Sequence, residues 1–425
     1  MKKKHDATLR DFSEIFELTL NRAAERAKFS AQGQGQEPQT RTHAQAVEAV
    51  EVGKSCGRVL AEDVLSDRNL PPYDRVAVDG YACRKSDLPG PLRLIGTSSA
   101  GDAALHSVEE GSCVKVMTGG VLPEGADTVI MVEQSKEYPK DAAEMYVRYT
   151  GSDPGFHPPN FSPRGEDVPL GTRVVTQGTL LGPQHTALLA SVGYGSVSVY
   201  ALPKVGLLST GNEVVEPGQK PEPHQIRNAN APQAVAQLSR MEIIPTYYGI
   251  VPDDPQALES TLAKAQSEND LILMSGGVSM GDFDFGPEAI ERNGFTIQYD
   301  RVAVKPGRPT TFAVSDKADL FGLAGNPVSC FVIFEILVKP YLYRLMHGIY
   351  RAPRSFATLA QEFNRRNSER DEWIPVTIDE QGQITLLEYH GSAHFHSISR
   401  AEGLIKIERG IEHLDKGALR AVRLF

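Results

Sequence analysis

The stretch "LILMSGGVSMGDFDF", Leu271–Phe285, decides the fold. Its first four residues are continuously apolar, which is typical of a strand buried on both faces of a sheet. Gly276 and Gly277 follow, and then two carboxylates, Asp282 and Asp284. Ligands of an open α/β sheet collect outside the carboxyl ends of its strands. The stretch therefore predicts a buried strand that ends at a ligand site.

The segments around this strand repeat the same order of strand and helix. Further apolar runs, "KVGLLST" from Lys204, "IIPTYYGIV" from Ile243 and "GLAG" from Gly322, alternate with helical patterns. One of these helices opens at Asp254, which can cap it, with Pro255 in its first turn. The alternation predicts a parallel sheet with helices on both faces.

The flanking segments are patterned differently. Apolar residues recur at helical spacing over residues 8–27, and short β-like runs fill most of the chain between there and the sheet and again after it. We therefore predict a multi-domain α/β plus β protein, with a central doubly wound α/β domain, mostly β N-terminal domains and a small β C-terminal domain. The predicted domains are an N-terminal helix in 1–30 that packs on the α/β domain, a linker/β domain of 44–65 and 168–200, a β-rich domain of 66–167, the α/β domain of 201–348 and the C-terminal β domain of 349–425.

Composition and charge exclude several classes of protein. The 425 residues carry a formal net charge of -10, which disfavours a nucleic-acid or membrane partner apart from local basic patches. The four cysteines are scattered with no CxxC pair, a usage that favours a reducing compartment over a disulfide framework or a thiolate zinc site. The longest apolar stretch, Cys330–Val338, contains Glu335 and is too short to span a bilayer. No signal peptide is predicted, and the expected location is cytoplasmic.

Three predicted strand ends carry similar chemistry. They read "STGNE" at Ser209–Glu213, "SGGVSMGDFD" at Ser275–Asp284 and "GNPVS" at Gly325–Ser329. Glycines let the backbone approach a phosphate, and a following helix offers free N–H groups. Carboxylates suit Mg²⁺, which takes one or two of them together with substrate phosphates. One such loop alone is more often ordinary turn geometry, but three loops in one sheet favour a binding site.

Two other stretches place charges on stiff loops. "VAVKPGRPTTF" puts Lys305 and Arg308 around a Pro-Gly turn, an arrangement that suits an oxyanion or a phosphate. "PPYDRVAVDGYA" puts Asp74 and Asp79 in a loop that two prolines stiffen. The structural alternatives are a solvated basic turn and an ordinary turn.

Seven stretches, in chain order, resemble the molybdopterin molybdenumtransferase family. They are "VAVDGYA", "VMTGGVLPEGADTVIMVE", "RGEDV", "STGNEV", "SGGVSMGDFD", "VKPGRPTTF" and "GLAGNPVS". The resemblance covers nearly the whole chain after about residue 45. It implies that molybdenum from molybdate is inserted into adenylylated molybdopterin with Mg²⁺ assisting and AMP released. Arg75-Val76, Asn212 and a long linker at 33–42 depart from the family pattern.

The resemblance also implies site residues and partners. The catalytic residues would be Asp79, Thr118, Asp167, Glu213, Asp253 and Asp284, with Glu213 and Asp284 on the metal. Substrate would be bound by Ser209, Gly211, Ser275, Gly276, Gly277, Ser279, Asn326, Pro327 and Ser329. Molybdate or phosphate would be bound by Lys305, Arg308, Arg370, Ser392 and Ser397. The family forms homodimers in which the α/β domain of one subunit faces the β and C-terminal domains of the other, and it works between a molybdopterin adenylyltransferase and a molybdoenzyme.

Two other functions fit parts of the pattern. A molybdopterin adenylyltransferase-like enzyme would need only the α/β domain, so the additional β domains favour the insertion enzyme. A non-catalytic molybdopterin-binding scaffold would keep the fold but need not keep the carboxylates. Asp79, Glu213 and Asp284 are all present, which favours an enzyme.

Overall fold

The computed structural model describes residues 9–28, 46–103, 106–139, 144–152, 158–277, 285–387 and 395–425. These fall into two compact units. Unit 1 comprises Met1–Glu62, Gln177–Pro183 and Ser196–Phe425, and unit 2 comprises Asp63–Thr176 and Gln184–Gly195. The finer domain boundaries given above stay a prediction.

The helices of the described residues confirm the periodicity argument. They are α1 Phe12–Lys28, α2 Pro183–Ser191, α3 Asn230–Ser239, α4 Pro255–Glu268, α5 Gly286–Arg292, α6 Pro327–Ile333, α7 Lys339–Leu345 and α8 Phe395–Arg400. A π-helical turn, Phe334–Val338, joins α6 to α7. The Asp254 carboxylate caps α4 as predicted, since it accepts a hydrogen bond of 2.7 Å from the Ala257 N–H. None of these helices combines the length and hydropathy that crossing a bilayer requires.

The strands of the first half are short. They are β1 Val47–Glu51, β2 Val64–Leu65, β3 Arg75–Val76, β4 Gly80–Cys83, β5 Leu92–Ser98, β6 Ser112–Val116, β7 Thr128–Met131, β8 Ser135–Pro139, β9 Met145–Tyr149, β10 Phe161–Ser162, β11 Arg173–Val175 and β12 Ser196–Tyr200. In unit 2, six of them form one sheet in the order β7-β4-β6-β5-β9-β8. The prediction that this region is mostly β is confirmed, and α2 is the helix that the sequence reading missed.

The second half contains the remaining strands. They are β13 Val205–Thr210, β14 Val214–Val215, β15 Ile226–Arg227, β16 Thr246–Val251, β17 Leu271–Ser275, β18 Thr296–Arg301, β19 Val304–Lys305, β20 Pro309–Val314, β21 Asp319–Leu323, β22 Arg354–Leu359, β23 Phe363–Asn364, β24 Asp371–Ile378, β25 Gln383–Leu386, β26 Gly403–Ile407, β27 His413–Leu414 and β28 Leu419–Leu424. Five of the last strands form a sheet together with β19, in the order β19-β24-β25-β22-β28-β26.

The central sheet has the order β16-β13-β17-β21-β20-β18. Its first four strands are parallel, whereas β20 and β18 are antiparallel to their neighbours. The prediction of a wholly parallel sheet is therefore wrong at one edge. The connections into and out of β20 contain no crossover helix, and short connections join antiparallel neighbours.

Helices cover both faces of this sheet, as predicted. Leu207 and Leu273 belong to the core shared with α3, α6 and α7. Their chain neighbours Leu208 and Ile272 belong to a second core, shared with α4 and α5. Successive strand residues point to opposite faces, so each buried strand contributes to both cores.

Helix α1 packs on the central sheet and its helices. Ile15 is fully buried in the core that the sheet shares with α7. Arg22 and Arg26 both bond to the carboxylate of Asp319, at the start of β21.

Candidate functional site

A cavity of about 730 Å³ opens where β13, β17 and β21 end. Its position is the one predicted from the glycine-rich strand ends. The predicted residues that line it are Ser209, Gly211, Glu213, Asp253, Ser275, Gly276, Gly277, Asn326 and Pro327. Ser329, on α6, is buried and does not line it.

Three glycines of the cavity cannot be replaced without strain. Gly211, Gly276 and Gly277 have φ angles of 130°, 87° and 65°, which L side chains rarely adopt. A Cβ on Gly276 would lie 2.8 Å from the carbonyl oxygen of Thr210. A Cβ on Gly211 would lie 2.6 Å from the Glu213 Oε2 atom. The absence of a side chain at Gly276 therefore leaves room for the end of β13, and its absence at Gly211 leaves room for the Glu213 carboxylate.

Two asparagines at the start of α3, Asn228 just before it and Asn230 as its first residue, hold the strand ends together. Asn230 Nδ2 donates to Ser275 Oγ at 2.6 Å and to the Gly325 carbonyl at 2.8 Å. Asn228 Nδ2 donates to Ser209 Oγ at 3.0 Å. The hydroxyls of Ser209 and Ser275, both predicted to bind substrate, therefore contact protein groups. Sequence reasoning missed the asparagines, although "NAN" directly before a helix was a usable signal.

The carboxylates of the cavity differ in what they contact. Asp253 Oδ2 accepts from the Asn212 N–H at 3.1 Å, and Asn212 Oδ1 accepts from the Asp253 N–H at the same distance. This reciprocal pair gives Asn212 a structural role. Asp254 is engaged as the cap of α4. Glu213 is the lining carboxylate whose side chain has no hydrogen bond to another described residue.

A second, smaller cavity of about 260 Å³ is strongly basic. Lys305 and Arg370, both predicted to bind oxyanion, lie here together with Arg365, Arg366 and Asn367. Lys305 Nζ lies 2.6 Å from Glu372 Oε1, so one carboxylate already neutralises part of the charge. The two additional arginines were missed, although "NRRNSER", 364–370, is rich in arginine.

Other residues predicted for this anion site are placed elsewhere. Arg308 is exposed and is not among the residues that line the basic cavity. Ser397 is buried on α8.

Unit 2 brings together two of the predicted catalytic residues. Asp79 Oδ1 accepts hydrogen bonds from the backbone N–H of Thr118 at 2.7 Å and from its hydroxyl at 2.8 Å. These bonds, the backbone one first, lower the pKa of Asp79. Asp167 is exposed, and its N–H donates to the Leu70 carbonyl at 3.0 Å.

Four residues of the sequence prediction lie outside the described residues: Ser279, Asp282, Asp284 and Ser392. The predicted metal pair is therefore described only at Glu213. Within the described ranges, no cluster of three or more His, Cys, Asp or Glu side chains could hold a metal ion.

Fold and cavities define a multidomain α/β protein with a ligand cavity at the carboxyl ends of its central sheet. Residues 19–193 match the family described as MoeA N-terminal region (domain I and II). Residues 206–344 match the probable molybdopterin binding domain, and residues 357–425 match the MoeA C-terminal region (domain IV).

Individual relatives agree with these matches. The chain is 35% identical over 333 residues to the molybdopterin molybdenumtransferase of Bacillus subtilis (strain 168), covering 75% of this chain and 76% of the relative. It is 34% identical over 390 residues to that of Haemophilus influenzae, covering 89% and 94%. The crystal structure of the molybdopterin biosynthesis moeA protein from Pyrococcus horikoshii OT3 is similar over 98% of this chain and 100% of that one, with a TM-score of 0.77 and 28% identity. The chain belongs to the MoeA family of molybdopterin molybdenumtransferases, which confirms the resemblance seen in the sequence.

Proposed function

We propose that this protein inserts molybdenum into molybdopterin. Its substrates are adenylylated molybdopterin and molybdate, and its products are molybdenum cofactor and AMP. The linkage between the two phosphates is hydrolysed, AMP leaves, and the dithiolene sulfurs of the pterin capture molybdenum. The observation that carries the proposal is the cavity at the strand ends, in which bare glycine backbone and the Glu213 carboxylate line one space.

The wall of this cavity suits a phosphorylated ligand. Gly211, Gly276 and Gly277 present backbone without side chains, which permits the close approach that a phosphate needs. Glu213 can order a reacting group, because its side chain makes no hydrogen bond within the described part of the chain. Catalytic roles for Asp79, Thr118, Asp167 and Asp253 stay predictions.

The basic cavity is our proposed site for molybdate. Molybdate is a tetrahedral dianion, and guanidinium groups fork onto two of its oxygens at once. Lys305 and Arg370 would bind it together with Arg366, which has no ion-pair partner among the described residues. Arg365 is not included in the proposed molybdate site, because its guanidinium donates hydrogen bonds to the Ile411 and Glu408 backbone carbonyls.

Magnesium dependence is part of the proposal. Glu213 and Asp253 place carboxylate oxygens on one cavity wall, and Mg²⁺ favours one or two carboxylates plus substrate phosphates over a cage of protein ligands. The donor set therefore fits, with Asp284 as the further predicted ligand. When bound, Mg²⁺ would supply positive charge to the phosphates.

The assembly is also a proposal. We expect a homodimer, as the family resemblance implies, in the cytoplasm, with a molybdopterin adenylyltransferase as supplier and a molybdoenzyme as recipient. The matches to the MoeA N-terminal and C-terminal regions favour insertion over adenylyl transfer, because a lone α/β domain would suffice for the latter.

Glu213→Gln tests the proposed function. It keeps the size of the side chain and removes its charge, so AMP release from adenylylated molybdopterin in the presence of molybdate should fall by about 10²–10⁴-fold. The matched control is Glu222→Gln, since Glu222 is exposed on the loop between β14 and β15 and does not line the cavity. The assay is run with and without Mg²⁺. Equal rates in all three proteins would refute the role of Glu213, and no AMP release by the unmodified protein would refute the function.

A further inference from the structure

The charges around the α/β cavity are unbalanced. Among the described lining residues, Glu213, Asp253 and Asp254 are acidic, and Arg227 is the single basic residue. The substrate of the proposed function carries two linked phosphates. Carboxylates alone would repel such a polyanion, and like charges at close range cost more in a confined site than in water. Arg227 is therefore the lining side chain that can add positive charge for the ligand beside that of Mg²⁺.

A short ladder joins the segment that contains Arg227 to the segment that directly follows Glu213. Strands β14 and β15 are parallel, with Val215 opposite Arg227. The Ile226 N–H donates to the Glu213 carbonyl at 2.8 Å. Arg227 thus lies on β15, and Glu213 directly precedes the neighbouring strand β14.

The guanidinium itself is only partly used. Its Nε donates to the Gln219 carbonyl at 3.1 Å. Its two terminal nitrogens have no hydrogen-bond or ion-pair partner within the described part of the chain. The forked end of the side chain is therefore available to a ligand, while the Nε bond fixes its base.

The residue after Arg227 is anchored firmly. The Asn228 N–H donates to the Val215 carbonyl at 2.8 Å, and its side chain donates to Ser209 Oγ at 3.0 Å and to the Tyr247 hydroxyl at 2.9 Å. Backbone bonds on both sides thus hold Arg227 in position before any ligand binds, and preorganised charge is effective in binding and catalysis.

We propose that Arg227 binds the phosphate–phosphate linkage of adenylylated molybdopterin and neutralises the charge that develops on the phosphate leaving as AMP. This inference rests on the proposed function. In the step, water adds to one phosphorus, the bond from that phosphorus to the bridging oxygen breaks, and AMP leaves with that oxygen. The protons of the water pass to the product phosphates or to solvent.

The test compares AMP with adenosine, which lacks the phosphate, on the full-length protein. Arg227→Gln should weaken AMP binding by about 10- to 100-fold, as expected for loss of charge-assisted bonds, and leave adenosine binding unchanged. Arg227→Lys should fall between, since an ammonium cannot fork. The control is Lys220→Gln, an exposed cation on the loop that leads into β15, which does not line the cavity. Its AMP affinity should equal that of the unmodified protein.

The outcomes separate this inference from the function. If the unmodified protein releases AMP from adenylylated molybdopterin but Arg227→Gln binds AMP as tightly, the inference is overturned and the function stands. If the unmodified protein neither binds AMP nor releases it, both fail. Equal losses for AMP and adenosine would show a structural role and also overturn the inference. Should Arg227→Gln fail to fold, the same comparison is decided by Arg227→Lys.

Discussion

The two ends of the central sheet bury polar side chains in different ways. At the amino end of β21, Asp319 is fully buried and both its oxygens accept hydrogen bonds, from Arg22, Arg26 and Tyr341. At the carboxyl end of β13, Thr210 is also buried, but its hydroxyl has no hydrogen-bond partner among the described residues. The first end uses polar groups to join α1 to the sheet, whereas the second leaves one unused beside a cavity.

The difference separates stability from binding within one domain. A buried charge is tolerated only when it is paired and hydrogen-bonded, and the contacts of Asp319 meet that condition. A ligand cavity needs bare backbone and available polar groups, which add little to stability before ligand binds. Substitutions at the two ends should therefore have different effects on unfolding.

Asp319→Asn should have the largest effect. It would leave Arg22 and Arg26 partly or fully buried with no anion, and removing one partner of a buried pair costs about 3–5 kcal/mol. Trp373 is the single tryptophan of the chain, and its ring centroid lies 6.3 Å from that of Phe12 in α1. Denaturant unfolding followed by its fluorescence should show a clear loss of stability. The control is Asp316→Asn, because Asp316 is exposed. If both variants unfolded at the same denaturant concentration, Asp319 would not have the stabilising role argued for it.

Gly276→Ala should have an intermediate effect. The φ of 87° would strain an alanine, at a cost of about 1–3 kcal/mol, and its Cβ would meet Thr210. Gly218 is the matched control, since a Cβ there would have nothing within 4 Å and Gly218→Ala should change little. Thermal unfolding of the two variants measures the difference. An unchanged midpoint for Gly276→Ala would show that the strand ends can move apart at no cost.

Local patterns predicted most of the fold. The apolar run Leu271–Ser275 and the cap at Asp254 are encoded by adjacent residues, so both could be identified in the sequence. The antiparallel strand β20 was missed, because the "KPGRP" segment that precedes it favours a turn and hides the strand that begins at Pro309. The position of the strand-end cavity could be predicted from the alternation of strands and helices, since the carboxyl ends of parallel strands lie at one edge of the sheet.

Contacts between distant residues could not be predicted in this way. Arg22 and Asp319 are 297 positions apart, and no local pattern joins them. Arg227 and Arg366 were missed for a related reason, since an exposed arginine in a loop is ordinary until the fold places it at a cavity. Glu372, which pairs with Lys305, was likewise indistinguishable from a surface acid.

Thr210→Val should have the smallest effect on stability. The sign of that effect is the most direct test of the difference between the two ends of the sheet. Valine has nearly the shape of threonine and removes a buried hydroxyl that has no hydrogen-bond partner in the described part of the chain. An unpaired buried polar group is costly, so the variant should be as stable as the unmodified protein or more stable by up to about 1 kcal/mol. The contrasting variant is Ser315→Ala near the amino end of β21, where the hydroxyl donates to the Ala318 carbonyl at 2.6 Å and accepts from the Ala318 N–H at 3.1 Å. That change should lower the free energy of unfolding by about 1 kcal/mol.

Unfolding of both variants in denaturant tests whether the two ends of the sheet differ. If Thr210→Val lost as much stability as Ser315→Ala, the two ends would not differ.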